Sequence, residues 1–202
     1  MKITVFGASG GTGGHVVERA RAAGHEVTAV VRTPNGRDTV ADVLDPDSIA
    51  PVIAGADAVV TAVGTRDLKP TTLQTDSTRS IVTAMAAAGV RRLVVVSNSG
   101  MVVDDQDGAV SRYLVKPILR RVLRHPWADM ARMEEVVRDS GLDWTITRPP
   151  NLTNGPRTDK FRTASGTNLR GGNNISRADL AVLIVACLED PGTIGQTIAV
   201  GY

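Results

Sequence analysis

Cysteine occurs once in this sequence, at Cys187, which excludes an intrachain disulfide framework. Cys187 sits in an apolar helical run and reads as a small buried hydrophobe, not a nucleophile. Aromatic residues make up only 3 % of the chain, too few for a stacking surface on single-stranded nucleic acid. Neither sign of charge dominates: 23 Lys and Arg against 21 Asp and Glu leave +2, which by itself asks for no polyanionic partner. No apolar run reaches the length of a membrane span, and the chain starts as a strand, not as a charged-then-apolar leader. No zinc-ligand spacing, nucleophile elbow, Walker Gly-Lys-Ser/Thr or paired-carboxylate site stands out. The expectation is a cytoplasmic globular protein of one domain, 202 residues long, acting on a small molecule. Neither nucleic acid nor membrane is expected as a partner, and the chain is expected to be a monomer or small homo-oligomer.

What is present is concentrated at the front. Lys2–Phe6 is a short β-rich run, Gly7-Ala-Ser-Gly-Gly-Thr-Gly-Gly14 follows, and His15–Ala23 reads as a helix closed by Gly24. A strand, a glycine-rich turn and a helix in that order can cradle phosphates. Gly7 can take the angles of a tight turn, and Gly10 and Gly13 carry no side chain to block a pyrophosphate or the helix–sheet contact. The spacing is Gly-x-x-Gly-x-x-Gly, so the context after the first strand has to carry the dinucleotide reading against a turn that merely packs a helix.

Apolar strand patterns then alternate with helical ones, which predicts an α/β fold: a single Rossmann-like domain, its parallel sheet covered by helices on both faces. Strands are expected at Glu26–Val31, Thr39–Asp42, Ala58–Val63, Arg92–Ser97, Asp143–Thr147 and Gly195–Val200. The run at Arg92–Ser97 is continuously apolar, as a strand covered on both faces should be. Helices are expected from Asp45 to Ile53, over Thr71–Ala88 with Gly89 as C-cap, over Tyr113–Arg124 and Trp127–Ser140, and from Ser176 to Leu188. Residues 151–175 show little periodicity, and a connection of that length inside one domain reads as a substrate-side loop.

In such a sheet, ligands bind beyond the carboxyl ends of the strands. Arg32 follows the second strand, with no acidic residue there to hold a free ribose 2′-hydroxyl. Its planar, permanently charged fork suits a 2′-phosphate, which favours NADP(H) over NAD(H), a solvated arginine being the alternative. Arg37 could assist. Asp42 and Val43 could meet an adenine edge or form an exposed turn. Ala62-Val63-Gly64 could let a cofactor pass close to the backbone. Ser97-Asn98-Ser99-Gly100 could meet a nicotinamide or substrate, or be a polar turn.

Together these features resemble the short-chain dehydrogenase/reductase superfamily, in its atypical NAD(P)-binding, NmrA-like branch. The resemblance covers nearly the whole chain. It is carried by Gly7-x-x-Gly10-x-x-Gly13, Val31-Arg32, Asp42-Val-Leu-Asp45, Val96-Ser97-Asn98-Ser99, Ser140-Gly-Leu-Asp-Trp-Thr-Ile-Thr-Arg-Pro149 and Ile175-Ser-Arg-Ala-Asp179. Within that branch the chain is most similar to the biliverdin reductase B/flavin reductase type. The likeness implies an NADPH site on Gly7, Ser9, Gly10, Gly11, Thr12, Gly13, Arg32, Asp42, Val43, Ala62, Gly64, Ser97 and Pro149.

The likeness weakens at catalysis. The Tyr-x-x-x-Lys pair of typical superfamily members should fall near Pro126 and Met130, which cannot act as acids. Tyr113 and Lys116 have the wrong spacing, lie roughly four helical turns early, and read as surface or lid residues. Asp129 and Arg132 read as solvated helix charges. The biliverdin reductase B type also lacks the pair; its histidine after the sixth strand is Asn151 here, and its second turn serine is Asn98, so both are candidate substrate contacts. Ser97, Ser99 or solvent are the candidate proton donors. The basic stretch Lys116–Arg124 resembles an amphipathic helix with an exposed cationic side. The expected function is an NADPH-dependent reductase passing hydride to a flavin-, quinone- or tetrapyrrole-like acceptor. An NADP-sensing regulator without turnover is the alternative, and an epimerase or isomerase a weaker one.

Overall fold

The structure, a computed structural model, describes residues 1–65 and 67–202, with the backbone alone at Ser111. The N-terminal run forms β1 (Lys2–Phe6), followed by α1 (Gly11–Ala22), β2 (Glu26–Val31) and the two-residue β3 (Thr39–Val40). Next come α2 (Pro46–Ile53), β4 (Ala58–Thr61), α3 (Leu73–Ala88) and β5 (Arg92–Val96). After a 3₁₀ turn at Ser99–Met101 and one π turn at Ser111–Val115 lie α4 (Lys116–Val122) and α5 (Arg124–Arg138). The chain ends through β6 (Asp143–Arg148), β7 (Asn151–Thr153), β8 (Arg162–Ser165), β9 (Asn174–Ser176), α6 (Arg177–Glu189) and β10 (Gln196–Gly201).

The main sheet has eight strands in the order β3-β2-β1-β4-β5-β6-β10-β8. Every neighbouring pair is parallel except β10 with β8. The chain steps outward from β1 to β3 and then returns to the other side of β1, so the strand order reverses between β1 and β4. Side chains of alternate parity sort into two cores. Ile3, Val5, Val60 and Val94 meet Val16, Ala20, Leu180 and Ile184 of α1 and α6. Phe6, Val59, Leu93 and Val95 meet Ile49, Ile81, Met85, Met133 and Val137 of α2, α3 and α5. Because β4 and β5 feed both cores, their sequences read as unbroken apolar runs, as a strand covered on both faces requires.

Local signals end the elements where chemistry predicts. Asp45 caps α2 by accepting from the Asp47 amide, and Gly89 closes α3 in the left-handed region at φ 69°. Ser176 caps α6 by accepting from the Asp179 amide. Cys187 is buried in α6, and burial pushes its thiol up to about 11, which disfavours the reactive thiolate. No helix among the described residues is long and apolar enough to cross a membrane, and no group of three potential ligands among them could hold a metal ion.

Four expectations need correcting. Residues 151–175 are not without regular structure: β7 pairs with β9 in a second, two-stranded sheet, and β8 extends the main sheet antiparallel to β10. Strands of three or four residues with one apolar side chain each are too short to show an alternation, so no periodic signal announces them. Lys116 is not a surface residue; its ammonium is buried against the Asp107 carboxylate at 2.5 Å. Asp129 is not a solvated helix charge. It is fully buried and accepts from the amides of Gln74 at 2.9 Å and Thr75 at 3.2 Å, capping α3 from a neighbouring helix. The 110–122 stretch exposes apolar as well as basic side chains: Tyr113 is 75 % exposed and Ile118 56 %.

Candidate functional site

The loop between β1 and α1 is built by close backbone approach. Gly7 turns at φ +77°, and a Cβ there would stand 2.7 Å from the Ala62 carbonyl oxygen at the end of β4. The Gly10 amide donates to the Gly7 carbonyl at 2.9 Å. A Cβ on Gly13 would fall 2.1 Å from that same carbonyl oxygen, against rigid backbone. These glycines therefore do two things at once. They let α1 sit down on the loop, and they leave the loop's outer surface bare, with Ser9, Gly10 and Gly11 exposed and Thr12 partly exposed.

Helix α1 begins at Gly10 with no side-chain cap and no acidic residue in its first turn. Its first amides and the positive end of its dipole therefore have no side-chain cap among the described residues, which suits an anion. This is the fit expected of a pyrophosphate. At the end of β2, Arg32 is exposed, and Arg37, five residues further along, is exposed as well. The Asp42 carboxylate accepts from the Leu44 amide at 3.0 Å and so forms a local turn, with Val43 half-buried next to it. Ala62, half-buried, borders the loop just past β4, and Gly64 is exposed two residues on.

The far end of the site gathers around β5 and β6. The Ser97 amide donates to the Thr147 carbonyl at 2.8 Å, and the Ser99 amide to the Pro149 carbonyl at 3.0 Å. The strand-five turn and the Pro149-Pro150 turn are thus fastened together. Ser97 is only 4 % exposed, and its hydroxyl donates inward to Glu134 Oε1 at 2.5 Å. Ser99 is partly exposed. Asn98 accepts from the Gly100 amide at 2.7 Å, while Asn151 is exposed at the start of β7. Pro126 is buried and Met130 half-buried on α5.

Glu134 is the group that inspection of the sequence missed. Its buried carboxylate takes two bonds from Arg148, at 2.9 and 2.5 Å, and one from Arg138 at 2.6 Å. Burial pushes the carboxyl up, but the bonds from Arg148 and Ser97 outweigh it and hold Glu134 below the usual glutamate value. Only the Glu134–Arg138 spacing of one helical turn is visible in the sequence; the link to Ser97 and Arg148 needs the fold. Behind this cluster lies a hollow of about 460 Å³ that includes Met101, Arg120, Trp127, Arg138 and Arg148. A second, of about 520 Å³, lies between residues 67–70 and the junction of α4 and α5. Neither includes the glycine loop, which is an open surface.

The 154–160 connection is held by Asp179, fully buried in the first turn of α6. Its carboxylate accepts from the amides of Thr158 and Asp159, both at 2.9 Å, from the Thr158 hydroxyl at 2.7 Å and from the Tyr202 hydroxyl at 2.6 Å. Burial opposes ionisation, but those bonds prevail and lower the carboxyl from 3.8 to about 2. A depressed folded-state value gives stability that is present above pH 3.8 and lost as pH falls through about 2. Asp179→Asn is expected to cost about 3 kcal/mol near neutrality. The gap in Tm between variant and parent should close as pH is lowered from 5 to 2, as followed by circular dichroism; a gap independent of pH would contradict the assignment.

Known proteins share this architecture. An exported-protein candidate of Burkholderia pseudomallei superposes with a TM-score of 0.83 at 30 % identity, covering all of both chains. A candidate NADH-flavin reductase of Streptococcus pneumoniae gives a TM-score of 0.77 at 27 % identity, covering 100 % of this chain and 99 % of the other. YhfK of Bacillus subtilis, an uncharacterized sugar epimerase, is 28 % identical over 208 aligned residues, covering 96 % of this chain and 90 % of its own. A family profile described as NAD(P)H-binding matches residues 7–191, and with the bare glycine cradle at its expected place the chain belongs to that NAD(P)H-binding family.

Proposed function

We propose that this chain is an NADPH-dependent reductase of a small conjugated acceptor, flavin-, quinone- or tetrapyrrole-like, of the NmrA-like branch and nearest its biliverdin reductase B/flavin reductase type. The observation that carries it is the pairing of an uncapped α1 above bare glycines with an exposed Arg32 where β2 ends. Likeness to a candidate NADH-flavin reductase supports the acceptor class. When bound, the nicotinamide supplies a hydride; the chain supplies position and charge. Gly7, Ser9, Gly10, Gly11, Thr12 and Gly13 line the pyrophosphate, Arg32 takes the 2′-phosphate, and Asp42 and Val43 border the adenine. Ala62 and Gly64 flank the passage to Ser97 and Pro149, which border the nicotinamide, and Asn98 and Asn151 border the acceptor. Residues 151–175 form the substrate side.

The Ser97 hydroxyl donates its hydrogen bond to a carboxylate held ionised, so its part is to fix the turn, and Ser99 is the hydroxyl of that turn able to reach an acceptor. A conjugated ring that spreads added charge asks little of a proton donor, whereas a simple ketone needs a positioned acid. The same inward Ser97 favours one other reading, a sensor that binds NADP without turnover. Oxidation of NADPH that depends on added acceptor selects the reductase; binding without oxidation selects the sensor. The protein is taken to work in the cytoplasm as a monomer or small homo-oligomer.

Arg32→Ala tests the cofactor preference. A charged hydrogen bond contributes about 1.5–3 kcal/mol, so NADPH affinity should fall about 10–100-fold while NADH affinity changes little in parallel calorimetric titrations. Equal losses for the two would remove the 2′-phosphate from Arg32.

A further inference from the structure

We infer that Arg177 belongs to the nucleotide site as a residue that contacts the cofactor's pyrophosphate. This rests on the cofactor site proposed above and adds to it a residue from the first turn of α6.

Three observations converge on it. First, the Arg177 side chain lies across the glycine loop: a methyl group on Gly11 would stand 2.9 Å from its Cδ and 2.9 Å from its Nε. Gly11 is the first residue of α1, the helix whose opening amides lack a cap. Second, the guanidinium is held there by neutral acceptors, Asn154 Oδ1 at 2.6 Å and the Leu152 carbonyl at 3.4 Å. The nearest acid of its own helix turn, Asp179, is already engaged by Thr158, Asp159 and Tyr202. Third, α1 carries no acidic residue in its first turn. A full positive charge beside the positive end of a helix dipole is unfavourable unless an anion joins the two.

A pyrophosphate lying over Gly10–Gly13 is that anion. It would accept from the α1 amides on one side and from the planar guanidinium on the other, in the forked geometry that arginine offers to phosphate. Asn154 and the Leu152 carbonyl then act as positioning groups that keep the fork over the loop and limit the order it has to gain on binding. The alternative is a clasp that only ties the end of β7 to α6, with no part in binding.

Calorimetric titration separates the two, using NADPH and adenosine 2′-monophosphate as probes; the second keeps the adenosine and 2′-phosphate but lacks the pyrophosphate. Arg177→Met is expected to weaken NADPH about 10–50-fold, the range for one charge-assisted bond, and to leave adenosine 2′-monophosphate within about twofold. Arg177→Lys should recover most of the loss, and added salt should shrink the difference between parent and Arg177→Met. If Arg177→Met does not fold, Arg177→Gln, whose amide can still donate to Asn154, carries the same expectation. NADPH affinity within about twofold of the parent in a folded variant, or equal losses for both probes, would make Arg177 a clasp and overturn the inference while leaving the cofactor site standing. Failure of the unsubstituted protein to bind NADPH or NADH would overturn both together.

Discussion

Gly13→Ala is expected to weaken cofactor binding by at least about two orders of magnitude and to lower stability at the same time. Its Cβ would be placed 2.1 Å from the Gly7 carbonyl oxygen, and neither partner is a flexible side chain that can step aside. Relief requires α1 to lift off the loop or the turn at Gly7 to open. Overpacking of this kind costs about 3 kcal/mol, which lowers Tm by about 6–12 °C for a domain of this size. The cofactor loss has a separate origin. The α1 amides that face outward are aimed by the contact the new methyl breaks, and losing two charge-assisted bonds corresponds to about a 100- to 1,000-fold drop in affinity. Gly24→Ala is the control for glycine chemistry as such. Gly24 has a positive φ, which strains any other residue there, but a Cβ meets nothing within 4 Å, so the variant should lose stability and keep the affinity. NADPH affinity in Gly13→Ala equal to the parent's would show that the loop does not hold the nucleotide.

Glu134→Ala is expected to destabilise the protein by about 3–5 kcal/mol, or about 6–20 °C in Tm. The charge it leaves behind is the reason. Arg148 is largely buried, and both of its bonds to the carboxylate would vanish together with the acceptor for Ser97. Removing both charges should cost less than removing one: Glu134→Met combined with Arg148→Met would regain part of the loss, giving a coupling in a double-mutant cycle. Because Glu134 is held below its ordinary value, its contribution is fully present above the usual carboxylate range and falls away on acidification. A Glu134→Ala protein with the parent's Tm at neutral pH would mean that the cluster does not fasten β5, β6 and α5. The strand-five turn depends on that fastening, so turnover should suffer more than nucleotide binding.

Legibility in the sequence tracked how local the determining physics is. The apolar runs at Lys2–Phe6, Glu26–Val31, Ala58–Val63 and Arg92–Ser97 became β1, β2, β4 and β5 with ends shifted by a residue or two, because a strand buried on both faces writes itself as a continuous hydrophobic stretch. Gly7, Gly10 and Gly13 were legible because only glycine permits those approaches. Longer-range pairings left no such trace. Lys116 looked like one of several basic helix residues until the fold set Asp107 against it. Asp129 looked solvated until α5 was seen to cap α3 across 55 residues of sequence. Arg177 sits in a run legible as a helix start and as part of the family resemblance, with nothing local to tie it to the glycine loop, yet its stem lies over Gly11 near the other end of the chain. Strands β7, β8 and β9 were hidden for another reason: each is three or four residues long with a single apolar side chain, so backbone pairing had no hydrophobic periodicity to report it.

The cradle is a property of backbone and helix dipole, whereas the proposed chemistry depends on what lies over the strand-five turn. The most direct measurement is therefore anaerobic incubation of the purified protein with NADPH and, in turn, oxidised flavin, a quinone and a linear tetrapyrrole, following the loss of reduced-nicotinamide absorbance. The prediction is oxidation that requires both protein and acceptor, is slower with NADH, and is absent with Gly13→Ala. NADPH binding with no acceptor-dependent oxidation above that variant's background for any of the three would contradict the reductase assignment.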